Sequence, residues 1–180
     1  MSRHSKWAQI KNQKGAADKK RSKVFSLLSK RISIAARGDK NPETNPGLKM
    51  MVEKAKSENM RSDTIERAIK RGAGELPGQG PIEEVVYEAY GPSGVQFIVI
   101  CATDNRNRTS SNIRHIFSLP GGSISGSGSV MWNFEKKAEG FYAKTMQKID
   151  DATKVKIQKL LDALEDDEDV EKIYTNIEKE

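Results

Sequence analysis

The sequence predicts an N-terminal domain of three helices followed by a small α+β sandwich with a mainly antiparallel sheet. Two observations lead to this prediction. Apolar side chains recur at helical spacing from about Asp18 to residue 74, whereas residues 83–180 alternate between β-rich runs and two further helical patterns. Between these parts, the stretch 72–81 contains four glycines and two prolines, which places a linker at 75–82.

The first predicted helix begins near Asp18, after an irregular or weakly helical arm at residues 2–17. Its apolar stripe recurs at steps of four, four and three residues, as one face of a helix does. We expect Gly38 to end the helix, because glycine adopts a left-handed backbone at low cost. The stripe consists of Val24, Leu28, Ile32 and Ala35.

Two shorter helices are predicted after a loop. Asn45 and Pro46 have the residue types of an N-cap and a first helical position. Asp63 and Glu66 have the spacing of a capping box, so the third helix begins at residue 62 or 63 and ends at Gly72. The predicted inward faces carry Leu48, Met51, Val52, Ala55, Ile65, Ala68 and Ile69.

The second domain opens with a predicted antiparallel hairpin. Its strands lie at 84–90 and 95–102, and a Gly-Pro-Ser-Gly turn joins them. A helix at 109–118 follows. The glycine- and serine-rich stretch 121–129 lacks the lysine and the spacing of a phosphate-binding loop, so we expect a flexible loop there.

The last third of the chain predicts a strand at 130–134, a short hairpin near 135–150 and a helix that Thr153 caps. Acidic side chains at a helix C-terminus oppose the helix dipole. The acidic run 165–169 is therefore expected as a solvated turn beyond that helix, before a final strand at 170–177.

Charge is distributed unevenly along the chain. The formal net charge is +6, but residues 1–74 carry 19 basic and 7 acidic side chains. Residues 75–134 carry 3 basic and 5 acidic side chains, and residues 135–180 carry 9 and 13. A strongly basic first part and a mildly acidic remainder indicate that the first part binds a polyanion.

The basic opening segment is the first candidate site. Lysine and arginine keep their charge at pH 7 and need water or an anion, and the natural anion for closely spaced cations is a phosphate backbone. An exposed tryptophan among them can stack on an unpaired base. The alternatives are a solvated tail, or an indole that staples the arm onto the helices. The predicted nucleic-acid-binding residues are Arg3, His4, Lys6, Trp7, Lys11, Lys14, Lys19, Lys20, Arg21, Lys23, Lys30 and Arg31.

A second candidate lies between a predicted strand and a predicted helix. Backbone N–H groups at a helix start form an anion site, and two arginines could clamp the same phosphate or RNA group. The alternative is an ordinary turn with an Asx cap, whose arginines bond to nearby acids or carbonyls. Both interpretations stay open for Asn105, Arg106, Asn107, Arg108 and Thr109.

No pattern indicates catalysis, a metal or a cofactor. His4 and His115 are the only histidines and are far apart, so His115 is expected to be structural. Cys101, the single cysteine, lies in an apolar run and is expected to pack as a small hydrophobe. No apolar run approaches the roughly 20 residues that span a bilayer, and the N-terminus lacks the apolar core of a secretory signal. We expect no membrane contact and a cytoplasmic protein.

Several motifs together resemble the YebC/PmpR family, which includes the mitochondrial translational activator of cytochrome c oxidase. The resemblance extends over nearly the whole chain. It rests on residues 4–8, Ile10, Lys11, Lys20, Arg21, Phe25, Asn45, Pro46 and residues 65–69, 87–92, 104–109, 121–122, 161–166 and 170. It implies a helical domain plus an α+β domain, with DNA binding in some members and, in others, a translational role at the ribosome.

One departure from that family concerns an α/β domain that most members carry after the strand predicted here at 130–134. In this chain the insert is reduced to the short hairpin near 135–150. The resulting hypothesis is a non-enzymatic regulator of gene expression that binds DNA or ribosomal RNA, with the ribosome as a further partner. The alternative is a protein–protein adaptor that uses the acidic C-terminal half. The sequence leaves the oligomeric state open.

Overall fold

The computed structural model describes residues 4–178, with side chains from Ala17 onward. The chain divides into two compact units, Met1–Pro81 and Ile82–Glu180. Among the described residues, five α-helices accompany a four-stranded antiparallel sheet and a separate two-stranded hairpin. The predicted class, helical followed by α+β, is confirmed.

The first unit consists of α1 (His4–Ala35), α2 (Pro46–Ser57) and α3 (Ser62–Gly72). Of the two alternatives predicted for the arm at 2–17, irregular or weakly helical, the structure has the helical backbone, and the predicted helix start near Asp18 is wrong because α1 already begins at His4. The arm has no apolar periodicity. It is nevertheless rich in lysine, glutamine and alanine, which favour helix intrinsically, and it contains no proline.

A small apolar core holds the three helices together. The buried stripe of α1 runs through the partly buried Phe25, then Leu28 and Ile32, and continues to Ala36 just beyond the helix end, at steps of three, four and four residues. Val24, predicted in that stripe, lies at its margin and is 40% exposed. The partners of the stripe on α2 and α3 are Leu48, Val52, Ala55, Ile65 and Ala68.

The predicted cap of α2 is confirmed and has a second role. The Asn45 Oδ1 atom accepts from the Leu48 N–H at 3.0 Å, and its Nδ2 atom donates to the Ala35 carbonyl at 2.7 Å. One amide therefore begins α2 and satisfies a carbonyl at the end of α1. The predicted capping box of α3 is wrong: Arg61 occupies the N-cap without a side-chain cap, and the Asp63 carboxylate accepts from the Thr64 N–H.

The second unit is a sheet covered on both faces. Its strands are β1 (Glu83–Tyr90), β2 (Gln96–Thr103), β3 (Ser123–Ser125) and β6 (Val170–Thr175), in the order β3-β1-β2-β6. Phe97, Val99 and Cys101 of β2 pack with α4 (Arg106–Ser118) and α5 (Asp151–Asp166). The alternate residues Ile98 and Ile100 face the hairpin of β4 (Phe134–Lys137) and β5 (Gly140–Ala143). The helices thus cover one face and the small hairpin the other.

The expected hairpin at 84–102 is confirmed, and Tyr87 pairs with Val99 in its register. The expected flexible loop at 121–129 is wrong in part, since Ser123–Ser125 pairs with β1. The predicted strand at 130–134 is also wrong: Met131–Asn133 is a 3₁₀ turn, and β4 starts only at Phe134. A carboxylate takes the N–H groups of residues 130 and 131, so they cannot join a ladder.

Helix boundaries in the second unit also differ from prediction. Asp150, not Thr153, caps α5, and its carboxylate accepts from the Thr153 N–H at 2.7 Å. The helix continues through Asp166 and so includes the first two acids of the run at 165–169. Helix α4 begins three residues earlier than predicted, because Asn105 caps it.

Candidate nucleic-acid interface

A row of lysines lies along α1. Lys19, Lys23 and Lys30 are separated by four and seven residues, so their side chains project within a sector about 40° wide. This sector is roughly opposite the buried stripe that includes Leu28 and Ile32. We call these three lysines the basic row. It extends over about 17 Å of helix, a length along which one strand of a duplex carries about five phosphates.

The other described cations of α1 divide between two positions. Lys20 and Arg31 are eleven residues apart and project beside the basic row. Arg21 projects toward the buried side, where its guanidinium lies 5.3 Å from the centroid of the Phe25 ring. The structure therefore brings five of the predicted cations to one half of the helix surface and turns Arg21 away from them.

The remaining predicted residues of the arm fall outside the described side chains. Arg3 precedes the described residues, and the structure gives only the helical backbone for the rest. Their contact with nucleic acid stays a prediction. These residues are His4, Lys6, Trp7, Lys11 and Lys14.

Helix α1 is fixed to α3 at Ser33, which lies beside the buried stripe. The Ser33 hydroxyl lies 2.8 Å from the Ala68 carbonyl and 3.0 Å from the Ser29 carbonyl. A Cβ atom at Gly72 would come within 2.2 Å of the Ser33 carbonyl, so only glycine allows this close approach. Sequence reasoning did not identify Ser33, whose one signal is a polar residue beside an apolar stripe.

The second candidate forms a capped turn. Asn105 Oδ1 accepts from the Arg108 N–H at 3.0 Å, which begins α4. The Arg106 Nε donates to Glu83 at 2.7 Å, while an Arg108 Nη2 donates to Asp169 at 3.0 Å. The two arginines thus bond to different acids rather than converging on one point. Asn107 is exposed on the first turn of α4.

Arg108 leads into a buried polar cluster. The Thr109 hydroxyl lies 2.7 Å from a carboxylate oxygen of Asp169 and 2.8 Å from the Thr103 hydroxyl. The hydrogen bond to Asp169 raises the pKa of Arg108 above its ordinary value. The expectation that the acidic run is a solvated turn is therefore wrong for Asp169, which is buried and satisfied internally.

A second buried carboxylate organises the glycine- and serine-rich stretch. Glu88 of β1 is only 5% exposed and accepts from the backbone N–H groups of Gly128, Val130 and Met131 at 2.6, 2.8 and 2.8 Å. Burial acts to raise its pKa, but these donors outweigh burial and hold the pKa below the ordinary value. An anion-binding loop is present here, and the chain's own carboxylate fills it.

In the part of the chain that the structure describes, no helix is both long enough and apolar enough to cross a bilayer. Among the same described residues, no group of three or more histidine, cysteine, aspartate or glutamate side chains is arranged to hold a metal ion. His115, expected to be structural, has an exposed side chain on α4.

Two family models match most of the chain. Residues 5–75 match the TACO1/YebC protein N-terminal domain, and residues 82–140 match the TACO1/YebC second and third domain. A crystal structure of a conserved hypothetical protein, Aq1575 from Aquifex aeolicus, superposes with a TM-score of 0.80 at 34% identity. It covers 88% of this chain and 90% of that chain.

Curated relatives named "Probable transcriptional regulatory protein" are similar over most of the chain. One from Koribacter versatilis is 48% identical and covers 94% of this chain and 68% of that protein. One from Fervidobacterium nodosum is 54% identical over 76% of this chain. The alignment spans only 54% of that protein, about half its length.

A relative from Persephonella marina bears on the short hairpin. It is 39% identical over 241 aligned positions, covering 99% of this chain and 96% of that protein. Since this chain has 180 residues, the relative contains internal residues that have no counterpart here.

Proposed function

The chain belongs to the TACO1/YebC family, and from that membership we propose that it is a non-enzymatic regulator of gene expression that binds nucleic acid. The observation that carries this proposal is the basic row on α1. Three lysines face one way from a helix whose roughly opposite face packs on its neighbours. A hydrogen bond from Ser33 to the Ala68 carbonyl also fixes this helix to α3. Cations held in a fixed line fit a regularly spaced row of phosphates.

The two buried carboxylates are hydrogen-bonded within the protein, which supports a binding role over catalysis. Glu88 and Asp169 are the kind of buried carboxylates that serve as acids or bases in enzymes. Each instead accepts several hydrogen bonds from its own chain. We therefore propose that neither carboxylate acts on a substrate.

Lysine contacts favour binding to the backbone over readout of a base sequence. A lysine ammonium meets a phosphate as a point charge and carries no base-reading geometry. Ribosomal RNA and promoter DNA remain competing targets. The names of the relatives favour DNA, whereas a cationic helix without a recognition motif fits the shape of folded RNA.

The test is a salt titration of binding. Each lost phosphate contact reduces the magnitude of the negative slope of log K against log salt by about 0.9 on duplex DNA and about 0.7 on single strands. We expect the Lys19→Ala, Lys23→Ala, Lys30→Ala triple variant to reduce this magnitude by about 2 to 3. A matched variant with Lys156, Lys159 and Lys172 replaced by Ala removes the same charge elsewhere. If both variants reduce the magnitude of the salt slope equally, the basic row is not the binding surface.

Crosslinking in cells, followed by sequencing of the bound nucleic acid, separates the two targets. Recovery dominated by ribosomal RNA, with sedimentation on ribosomal particles, would argue against direct promoter control. Recovery of defined promoter fragments would argue for it. A salt-independent cellular association would instead favour a protein–protein adaptor, because protein interfaces do not release condensed counterions.

A further inference from the structure

The hairpin of β4 and β5 presents two exposed aromatic rings. Trp132, at the entrance to the hairpin, is 62% exposed, and Tyr142 of β5 is 44% exposed. Tryptophan is highly buried on average in proteins, and tyrosine is intermediate. Here both rings are exposed, one just before the hairpin and one on it.

The register separates an inner and an outer face of the hairpin. Phe134 pairs with Ala143, and Phe134 is buried against the sheet. Glu135 pairs with Tyr142, one position further along, so Tyr142 projects from the opposite face. The outer face is thus not required for the core.

Trp132 is held in place although it is exposed. Its indole N–H donates to the Ser129 carbonyl at 2.8 Å, so the polar atom of the ring is already satisfied. The carbonyl of Trp132 accepts from the Lys144 ammonium at 2.9 Å. What the residue offers to its surroundings is an apolar ring in a fixed position, which lowers the entropic cost of stacking.

A lysine lies near each of these residues. The Lys137 ammonium lies 5.4 Å from the centroid of the Tyr142 ring and also pairs with Glu135 at 3.3 Å. The Lys144 ammonium donates to the backbone carbonyl of Trp132, and the Tyr142 hydroxyl donates to Glu139 at 2.9 Å. Residues 131–148 contain four lysines and two glutamates. We call Trp132, Lys137, Tyr142 and Lys144 the hairpin surface. Lysine is depleted in protein–protein interfaces, so lysines beside exposed rings favour a polyanion with flat, stackable groups.

We propose that the hairpin surface binds unpaired nucleotides, with bases stacking on Trp132 and Tyr142 and phosphates meeting Lys137 and Lys144. Stacking on aromatic side chains beside a cationic groove is how proteins hold single strands without reading sequence. That the ligand is a nucleic acid rests on the proposed function. The residues of the hairpin surface are different from those of the basic row. A protein partner is the competing occupant.

The test uses the full chain with Trp132 as its only tryptophan. The sequence has two tryptophans, so a Trp7→Phe variant leaves Trp132 as the sole indole emitter. Titration with an oligouridylate should quench this emission saturably, because a stacked base quenches indole, while a duplex of equal length should not. In the wild-type chain, Trp132→Leu should weaken oligouridylate binding about 5-fold or more and leave duplex binding unchanged.

Two further variants make the result specific. Tyr142→Ala should weaken oligouridylate binding in the same direction, which guards against a folding defect of one variant. Leu119→Ala removes an exposed apolar side chain at the C-cap of α4 and should have no effect. Thermal melts of all variants should match the wild type.

The outcomes distinguish this proposal from the function on which it rests. If Trp132→Leu and Tyr142→Ala bind oligouridylate like the wild type while the basic-row variant binds weakly, the hairpin proposal is overturned and the nucleic-acid function stands. Equal quenching by single strand and duplex would also overturn it. If the wild type binds neither oligouridylate nor the duplex, both proposals fail, and a protein partner becomes the favoured occupant of the hairpin surface.

Discussion

The carboxylate of Glu88 accepts the backbone N–H of Val130 at 2.8 Å, across 42 positions of sequence. Gly128 and Met131 donate to the same carboxylate. This contact turns a glycine- and serine-rich stretch into an ordered connection, and it sets where the chain enters the hairpin that carries Trp132. A single buried charge therefore determines the local structure of residues 128–131.

We predict that Glu88→Gln destabilises the second unit by about 1–3 kcal/mol, because an amide accepts less strongly and brings N–H groups of its own into a site built from donors. The pH dependence has a definite sign. The folded-state pKa of Glu88 is lowered, so its contribution is present above the unfolded pKa of about 4.3 and is lost as pH falls through the folded value.

Denaturant melts between about pH 7 and about pH 3 measure this effect. The wild type should lose stability below the unfolded pKa, and the Gln variant should lack that part of the loss. Glu84→Gln, an exposed position on the same strand, is the control and should change little. If the free energies of unfolding of the wild type and Glu88→Gln fell in parallel with pH, the prediction would be contradicted.

The two arginines that begin α4 should differ in their effect on stability. Arg106 pairs with Glu83 on the surface, and such exposed pairs contribute about 0–1 kcal/mol. Arg108 reaches the buried Asp169. Because Arg108 is itself half-exposed, we predict that Arg108→Ala costs about 1–2 kcal/mol, below the cost of breaking a fully buried pair.

Denaturant melts of Arg106→Ala and Arg108→Ala give the comparison, and oligonucleotide binding of both tests the anion-site interpretation. If the turn has only a local role, Arg106→Ala should leave both stability and binding near the wild type. Weaker binding by Arg106→Ala without loss of stability would show instead that the turn touches nucleic acid.

Local signals made much of the fold predictable. The Asn45 cap, the stripe through Leu28 and Ile32 and the hairpin of β1 and β2 each follow from spacing within a few residues. The contacts of Glu88 and Asp169 join residues about 40 and 60 positions apart, and no pattern within a short window encodes such pairs. Both buried carboxylates were therefore missed.

The start of α1 was placed too late for another reason. Its helix depends on intrinsic propensity rather than on an apolar stripe, and periodicity cannot detect that. The residues of the basic row were each predicted from the sequence. That Arg21 projects away from Lys19, Lys23 and Lys30 could be seen only once the position of the buried stripe around α1 was known. Trp132 was predicted inside a strand, where its exposure could not be foreseen.

The contact between Gly72 and Ser33 predicts opposite effects for two glycine substitutions. Alanine favours a helix by about 1 kcal/mol over glycine, but at residue 72 its Cβ would meet the Ser33 carbonyl at 2.2 Å. Because the obstacle is backbone, we predict that Gly72→Ala destabilises the first unit by about 1–3 kcal/mol.

Gly47→Ala is the matched control, because its Cβ would meet only Asn45 Oδ1, at an ordinary 3.5 Å. That variant should be neutral or gain up to about 1 kcal/mol. Thermal denaturation of the full chain reads out both variants. Equal stability changes at the two positions would mean that α1 can move away from α3 at little cost.

The indole of Trp7 provides a prediction for the arm. If it stacks on unpaired bases, Trp7→Ala should weaken binding of single-stranded or structured RNA by about 1–3 kcal/mol and affect duplex DNA much less. Trp7→Phe keeps an aromatic face and should retain most of the affinity. Equal losses on RNA and duplex would remove the stacking role. A fall in melting temperature without any change in RNA preference would favour the alternative, in which Trp7 staples the arm onto the helical domain.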